Sequence, residues 1–205
     1  MTTRNVALFV FDDAEVMDVA GPYEVFSVAG RRHGLAPFSV SLVAERAGLV
    51  TLRNNFRLEA HATLAECPRP DLIIVPGGQG TRREMHNPAV LDWVRRTAAT
   101  AELTLSVCTG ALVLANAGLL GGLDVTTHHG AVDLLKSTEP TAHVKEGVRF
   151  LDNGRVIVSA GISAGIDMSL HVVERLLGIE LAEEAAAYME YHWDRNDPSL
   201  EDVGM

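Results

Sequence analysis

The chain predicts an α/β fold, a doubly wound and mostly parallel sheet with helices on both faces. Three observations lead there. Short runs rich in Val, Ile and Leu alternate with longer stretches of helical period, as buried parallel strands and their covering helices require. The helical stretches carry readable start and stop residues. And 205 residues with 47% apolar and 21% charged side chains suffice for one well-buried domain, 1–205, but not for two.

The strands are expected at 6–11, 38–43, Leu72–Val75, Leu103–Val107, 124–127 and Val156–Ser159. Asn87-Pro88 supplies an N-cap and a preset first helical residue, after which Val90, Leu91, Val94 and Ala98 form an apolar stripe. Residues 109–117 are almost all small or apolar, which predicts a helix buried on most sides and closed by Gly118. Ile166, Leu170, Val173 and Leu177 recur at helical spacing behind a cap at Ser163, with Gly178 as the stop and His171 riding beside the stripe as a packed or surface residue. Arg53-Asn54-Asn55 and Asp152-Asn153-Gly154-Arg155 read as hairpin turns, the second joining 148–151 to Val156–Ser159, so the sheet is mixed at one edge. The acidic stretch 194–202 reads as a solvated terminus.

Charge and cysteine usage exclude several classes of function. With 17 Lys+Arg against 27 Asp+Glu the net charge is −10, unsuited to a phosphate backbone, so nucleic acid is not expected as a partner. Two cysteines, Cys67 and Cys108, are too few for a disulfide framework and suit a reducing compartment. No run approaches the roughly 18 apolar residues of a membrane span, and the first residues lack the pattern of a secretion signal. The expectation is a soluble, cytoplasmic protein without membrane contact.

In open parallel sheets ligands bind at the carboxyl ends of the strands. There the chain places Asp12, Asp13, Glu15 and Asp18, then Gly77 and Gly78, then Cys108, then His128 and His129. The strongest signal is Ser106-Val107-Cys108-Thr109-Gly110, a strand running into a helix with one nucleophile at the turn and small residues two positions to either side, the pattern of a nucleophile elbow. A thiol at a helix N-terminus is favoured as thiolate, with pKa values of roughly 3.5–7.5, which predicts a Cys108 ionised at neutral pH. Gly77 and Gly78 can turn backbone N–H groups toward the same crevice and, with the Thr109 N–H, form an anion hole. Spacing does not rank the four carboxylates, and most read as solvated loop charges. Cys67, in a loop, reads as a small packed residue. His128 and His129, as neighbours on a strand, point to opposite faces and lack a third ligand, so no metal is expected.

These segments together resemble the ThiJ/PfpI superfamily. The resemblance is carried by DVAGPYEVF at 18–26, IVPGG at 74–78, SVCTGA at 106–111 with AGLL at 117–120, TTH at 126–128 and AGISAGID at 160–167. Within that superfamily it is nearest to isocyanide hydratase and to the amino-terminal domain of AraC-type regulators. It implies a flavodoxin-like, class I glutamine amidotransferase-like fold and commonly a homodimer, with the apolar 49–52 and the aromatic Tyr188, Tyr191 and Trp193 as candidate contacts. It also implies Cys108 as nucleophile, Asp18 as the carboxylate bonded to it, Thr109 as the residue whose N–H holds developing charge, and His128 and Ile162 beside Gly77 and Gly78 at the substrate. The activity implied is a cofactor-free addition of water to a small organic isocyanide. The alternatives are a small-molecule or redox sensing domain, or thiol chemistry on carbonyl compounds of glyoxalase-like or amidase-like kind. Thr109 stands where PfpI-type peptidases carry His, which speaks against a Cys-His peptidase. His129 stands where Trp is usual, so the pocket wall there differs. Residues 194–205 include no basic segment of the kind that precedes a helix-turn-helix, so DNA binding is not expected of this chain.

Overall fold

A strand covered by helices on both sides needs apolar residues at every position rather than at alternate ones. Leu72-Ile73-Ile74-Val75 meets that demand with four fully buried side chains, each worth about 1.5–3 kcal/mol in removed apolar surface. The computed structural model, which describes residues 2–195, builds its sheet around this run. In chain order the strands are β1 (Arg4–Phe9), β2 (Phe38–Ala44), β3 (Leu49–Thr51), β4 (Arg57–Glu59), β5 (Ala62–Thr63) and β6 (Leu72–Val75). They continue with β7 (Leu103–Val107), β8 (Asp124–Val125), β9 (His143–Val144), β10 (Phe150–Asp152) and β11 (Val156–Ser159). The helices are α1 (Val16–Val28), α2 (Thr81–Glu84), α3 (Pro88–Ala98), α4 (Gly110–Asn116), α5 (Val132–Thr138), α6 (Ala164–Leu177) and α7 (Ile179–Tyr188).

The main sheet runs β10-β11-β7-β6-β1-β2-β5. All its neighbours are parallel except β10, which lies antiparallel to β11 at the edge, as the hairpin turn implied. Helices cover both faces: α1 packs on α6 and α6 on α7, while α2, α3 and α5 gather round α4. Strand order reverses between β1 and β6, and the carboxyl ends of β1, β6 and β7 open onto one crevice.

Several local expectations hold for the reasons given. The Asn87 side chain accepts from the Ala89 N–H at 3.1 Å, and Val90, Val94 and Ala98 are buried behind it. Every residue from Gly110 to Ala115 is buried, and Gly118 takes a positive φ of 75°. His171 is a packed residue, 2.8 Å from Asp152 and against the Phe150 ring. Residues 53–55 turn β3 back onto the antiparallel β4.

Other expectations need correction. The first strand begins at Arg4 and ends at Phe9. The stretch 124–127 is strand only over β8, which pairs with β9 in a separate two-stranded sheet. Its next two residues leave the strand because the Thr127 hydroxyl reaches across to the Cys108 carbonyl at 2.8 Å. Ser163 does not cap α6; its hydroxyl accepts from Arg149 instead, at 3.3 Å. The segment after β1 is no loop as far as Asp18, since α1 starts at Val16 and holds Asp18 in its first turn. Gly21 and Pro22 lie inside that helix. A Cβ on Gly21 would stand 2.9 Å from Ile166 Cγ1, so the glycine is what lets α1 approach α6. The helix α7 follows Gly178 without having been anticipated. Most of 194–202 lies outside the described residues. No described helix is long and apolar enough to cross a membrane.

Leu105 sits fully buried on the central strand β7. Leu105→Ala is expected to cost about 2–5 kcal/mol in urea unfolding, and a loss below about 1 kcal/mol would contradict the close packing of this strand.

Candidate active site

Cys108 follows β7 with φ at 57°, a conformation that costs a non-glycine residue strain and persists only where surroundings enforce it. They do so at both ends of the residue. Its N–H is shared between the carbonyls of Ser159 at 3.1 Å and Ala160 at 3.0 Å, and its own carbonyl accepts the Thr127 hydroxyl. Two residues on, a Cβ at Gly110 would fall 2.0 Å from the Val75 carbonyl oxygen, so the turn admits nothing larger than glycine. This is the elbow geometry expected from the sequence.

Asp18 is fully buried and comes to the elbow from α1. Its Oδ2 accepts the Gly77 N–H at 2.9 Å, and its Oδ1 is buried without a hydrogen-bond partner of good geometry. Gly77 is the hub. A Cβ there would lie 2.5 Å from Thr109 N, 2.8 Å from Asp18 Oδ2 and 2.8 Å from Cys108 Cβ. The acid, the thiol and the next amide thus close on the space that a side chain would need.

The two glycines do not form the expected anion hole, because their N–H groups are already used. That of Gly77 goes to Asp18 and that of Gly78 to Thr109 Oγ1 at 2.9 Å. The amides set against the Cys108 sulfur are those of Thr109 and Ile162. Ile162 has φ at 53°, a second strained residue and a rare one for a β-branched side chain. The strain turns its N–H toward the sulfur, so an anion formed at or beside that sulfur would meet two donors. Thr109 is held in turn by Thr81, whose buried hydroxyl lies 3.0 Å from Thr109 Oγ1 and 2.7 Å from the Gly78 carbonyl. Neither Thr81 nor Thr127 was singled out for such a role, since hydroxyls bonding to distant backbone leave no local pattern.

Electrostatics overturns the expectation of a thiolate. Burial pushes the Cys108 thiol up to about 12, and the Asp18 charge adds to the rise. The amides of Thr109 and Ile162 pull the other way without prevailing. Burial likewise raises Asp18 to about 7, against the pull of the Gly77 N–H and the Cys108 thiol. The resting site therefore keeps its proton on sulfur and holds beside it an acid poised near neutrality, a coupled pair rather than a free thiolate.

His128 forms the next wall. Its Nδ1 accepts the Gly130 N–H at 3.1 Å, which leaves the ring proton on Nε2. Burial first, then the neighbouring charges of His129 and Arg82, lower its pKa and keep it neutral. Because the chain is no longer a strand at this point, the His128 and His129 rings do not face apart; they stack with centroids 4.1 Å from each other. Both line a cavity of about 530 Å³ with Thr126, Val148, Arg149 and Ile162. Among the described residues no group of three or more His, Cys, Asp or Glu is placed to hold a metal ion. Of the other carboxylates, Asp12 accepts the Thr51 N–H at 2.8 Å and Glu15 lies 3.9 Å from Arg53. Cys67 is half-buried, its sulfur 3.3 Å from the Pro68 carbonyl, and burial raises its pKa.

Known proteins resemble this chain in sequence and in fold. Residues 4–175 match the model of the DJ-1/PfpI family. The chain is 36% identical over 187 residues to the isonitrile hydratase of Pseudomonas putida, covering 91% of this chain and 78% of that protein. It is 29% identical to the HTH-type transcriptional regulator CdhR of Pseudomonas aeruginosa over 83% of this chain, and spans half of the regulator's length. Among solved structures, a ThiJ/PfpI family protein from Pseudomonas syringae superposes with a TM-score of 0.85 at 30% identity, over 97% of this chain and 79% of that one. Drosophila melanogaster DJ-1beta superposes with a TM-score of 0.82 at 20% identity, over 94% of this chain and 100% of that one, a likeness of fold.

Asp18→Asn removes a charge that holds the thiol proton on sulfur. The pH at which Cys108 becomes alkylated by iodoacetamide, followed on its peptide by mass spectrometry, is expected to move down by about one unit or more. An unmoved or raised profile would show that Asp18 does not act on this sulfur.

Proposed function

The chain belongs to the DJ-1/PfpI family, and on that premise we propose that it is a cysteine-dependent hydratase that adds water to a small organic isocyanide, giving an N-substituted formamide. The observation that carries this reading is the buried Asp18 set against the Cys108 thiol across Gly77, with its pKa raised to about 7. An acid poised there can take and return a proton at physiological pH. The likeness to a protein named isonitrile hydratase over 91% of the chain supports the same substrate class.

The steps balance on this chain's own groups. As the sulfur of Cys108 bonds to the terminal isocyanide carbon, its proton passes to the Asp18 carboxylate. Asp18 then protonates that carbon, leaving a thioimidate on Cys108. Water adds to the thioimidate carbon as Asp18 accepts its proton and passes it to the nitrogen. The tetrahedral adduct then expels the Cys108 sulfur as its own hydroxyl becomes the formamide carbonyl, and that hydroxyl's proton returns through Asp18 to the sulfur as the formamide leaves. The amides of Thr109 and Ile162 face the charge that develops beside the sulfur. Gly77 keeps the acid and the thiol in contact, and His128 presents a neutral Nε2–H on the adjoining wall.

A thiol raised to about 12 favours this reading over that of a redox sensor, which needs a thiolate at rest. Thr109 in place of His likewise disfavours a Cys-His peptidase. We also propose that the protein forms a homodimer through the β3–β4 hairpin. Leu49 is 70% exposed and Phe56 51% exposed there, and the hairpin is bonded to the start of the α1 segment through Asp13 and Ala14 at 2.9 Å each. Tyr191 is less suited to such a contact, being turned inward to Asp167, 2.9 Å away.

Two measurements test these readings. Attack needs Asp18 as carboxylate and Cys108 as thiol. The value of kcat/KM for an aryl isocyanide is therefore expected to fall about tenfold per pH unit below 7 and to level off above it, with Cys108→Ser and Asp18→Asn abolishing formamide production; absence of turnover by the native protein would remove the hydratase reading. In sedimentation the native chain should run as a dimer and Leu49→Glu/Phe56→Glu as a folded monomer; a native monomer would exclude the dimer.

A further inference from the structure

Next to the glycine pair and His128 stands a charge that the proposed chemistry does not use. Arg82 is exposed on α2, just beyond the glycine pair, and its guanidinium Nη1 lies 3.3 Å from the Gly78 carbonyl and 3.3 Å from the Thr81 hydroxyl. Thr81 in turn touches Thr109 Oγ1 at 3.0 Å, so Arg82 is tethered two contacts from the residue that follows the nucleophile. Arg82 is also close enough to His128 for its charge to be felt on that ring. Glu15 reaches both walls, for its charge acts on Asp18 and on His128, and its N–H donates to the Gly77 carbonyl at 2.9 Å.

These two charges are not equivalent. Glu15 has a cation of its own, Arg53, at 3.9 Å. Arg83, next along α2, is paired with Glu84 at 2.7 Å. Arg82 makes no ion pair with any described carboxylate; both of its contacts are single, long hydrogen bonds through Nη1, and the rest of the planar fork is uncommitted. In a chain of net charge −10, a cation with no ion-pair partner among the described residues, set between the glycine pair and His128, stands out. His128, neutral, adds no charge to compete with it. A guanidinium fork matches a carboxylate in two parallel hydrogen bonds, which a neutral substituent cannot offer.

We infer that Arg82 determines the specificity of this site, selecting an isocyanide whose nitrogen substituent carries a carboxylate or comparable anionic group. This rests on the hydratase reading for the isocyanide, but the selection of an anion by Arg82 is a property of that residue and holds for any reagent that reaches Cys108. Arg82 touches the remote end of the substrate rather than the reacting carbon, so its contribution falls on binding.

Two reagents of equal size and chemistry, iodoacetate and iodoacetamide, differ only in that charge. The ratio of their second-order rates at Cys108, measured on the Cys108 peptide, cancels the reactivity of the thiol itself. Arg82→Ala is expected to lower the iodoacetate-to-iodoacetamide ratio about threefold to fivefold, the scale of an exposed ion pair. Arg82→Lys should restore part of it, Arg82→Glu should lower it further, and the differences should shrink at high salt. A ratio unchanged in Arg82→Ala overturns the inference whether or not the protein hydrates isocyanides. Where turnover is present, Arg82→Ala should raise KM for isocyanoacetate more than for a neutral alkyl isocyanide with kcat little altered, and an equal change for both substrates also counts against it. If no isocyanide is turned over while the alkylation ratio shifts as expected, the hydratase reading fails and the anion selectivity stands.

Discussion

The structure turns on one costly arrangement, a carboxyl group buried against a thiol with only a glycine between them. Removing an ionised carboxylate from water carries a penalty of several kcal/mol unless hydrogen bonds repay it. Asp18 receives one good hydrogen bond, from Gly77, and leaves its other oxygen without a partner. The fold tolerates this because the proton shared with Cys108 lets the pair carry a single negative charge or none. Burial lifts both the acid and the thiol above their ordinary values, and for the thiol the charge of Asp18 adds to the rise.

Around that pair the backbone is set under strain at two residues, Cys108 and Ile162, both with positive φ and neither a glycine. The first sets the sulfur at the turn, and the second brings its N–H to that sulfur. The restraints come from elements far apart in the chain. The segment after β11 accepts the Cys108 N–H, the segment after β8 holds its carbonyl, and the loop after β6 receives the acid. The Ile162 turn is braced by Arg149, which bonds Ser163 and forms a partly buried ion pair with Asp167 of α6, and Asp167 is further bonded by Tyr191. A short α4 adds little dipole to stabilise an anion, so burial decides the protonation state of the thiol rather than helix position.

Much of the architecture was legible because its signals are local. Continuous apolar runs can only be buried parallel strands or core helices, and three of the six expected strands have their observed ends. Asn87-Pro88 and Gly118 mark helix ends through contacts within one turn. The helix α1 was obscured by Gly21 and Pro22, which lower helical propensity. Gly21 is explained by its close approach to Ile166 of another helix, a fact absent from its own neighbourhood. The strand expected at 124–127 was shortened by a single hydroxyl contact to Cys108.

What the sequence determined by itself was most of the sheet's strands and the elbow at Cys108, because these follow from periodicity and from small residues at fixed offsets, while the roles of Asp18, His128 and Ile162 were implied only by the family resemblance. Tertiary structure decided what buries Asp18, that the Ile162 amide joins that of Thr109 at the sulfur, and where the proton rests. Asp12, Asp13, Glu15 and Asp18 differ in role only through what packs on them. The N–H groups of Gly77 and Gly78 were available in principle and spoken for in fact. Protonation depends on burial and on charges brought together across 59 residues between Asp18 and Gly77, and no local pattern encodes either quantity.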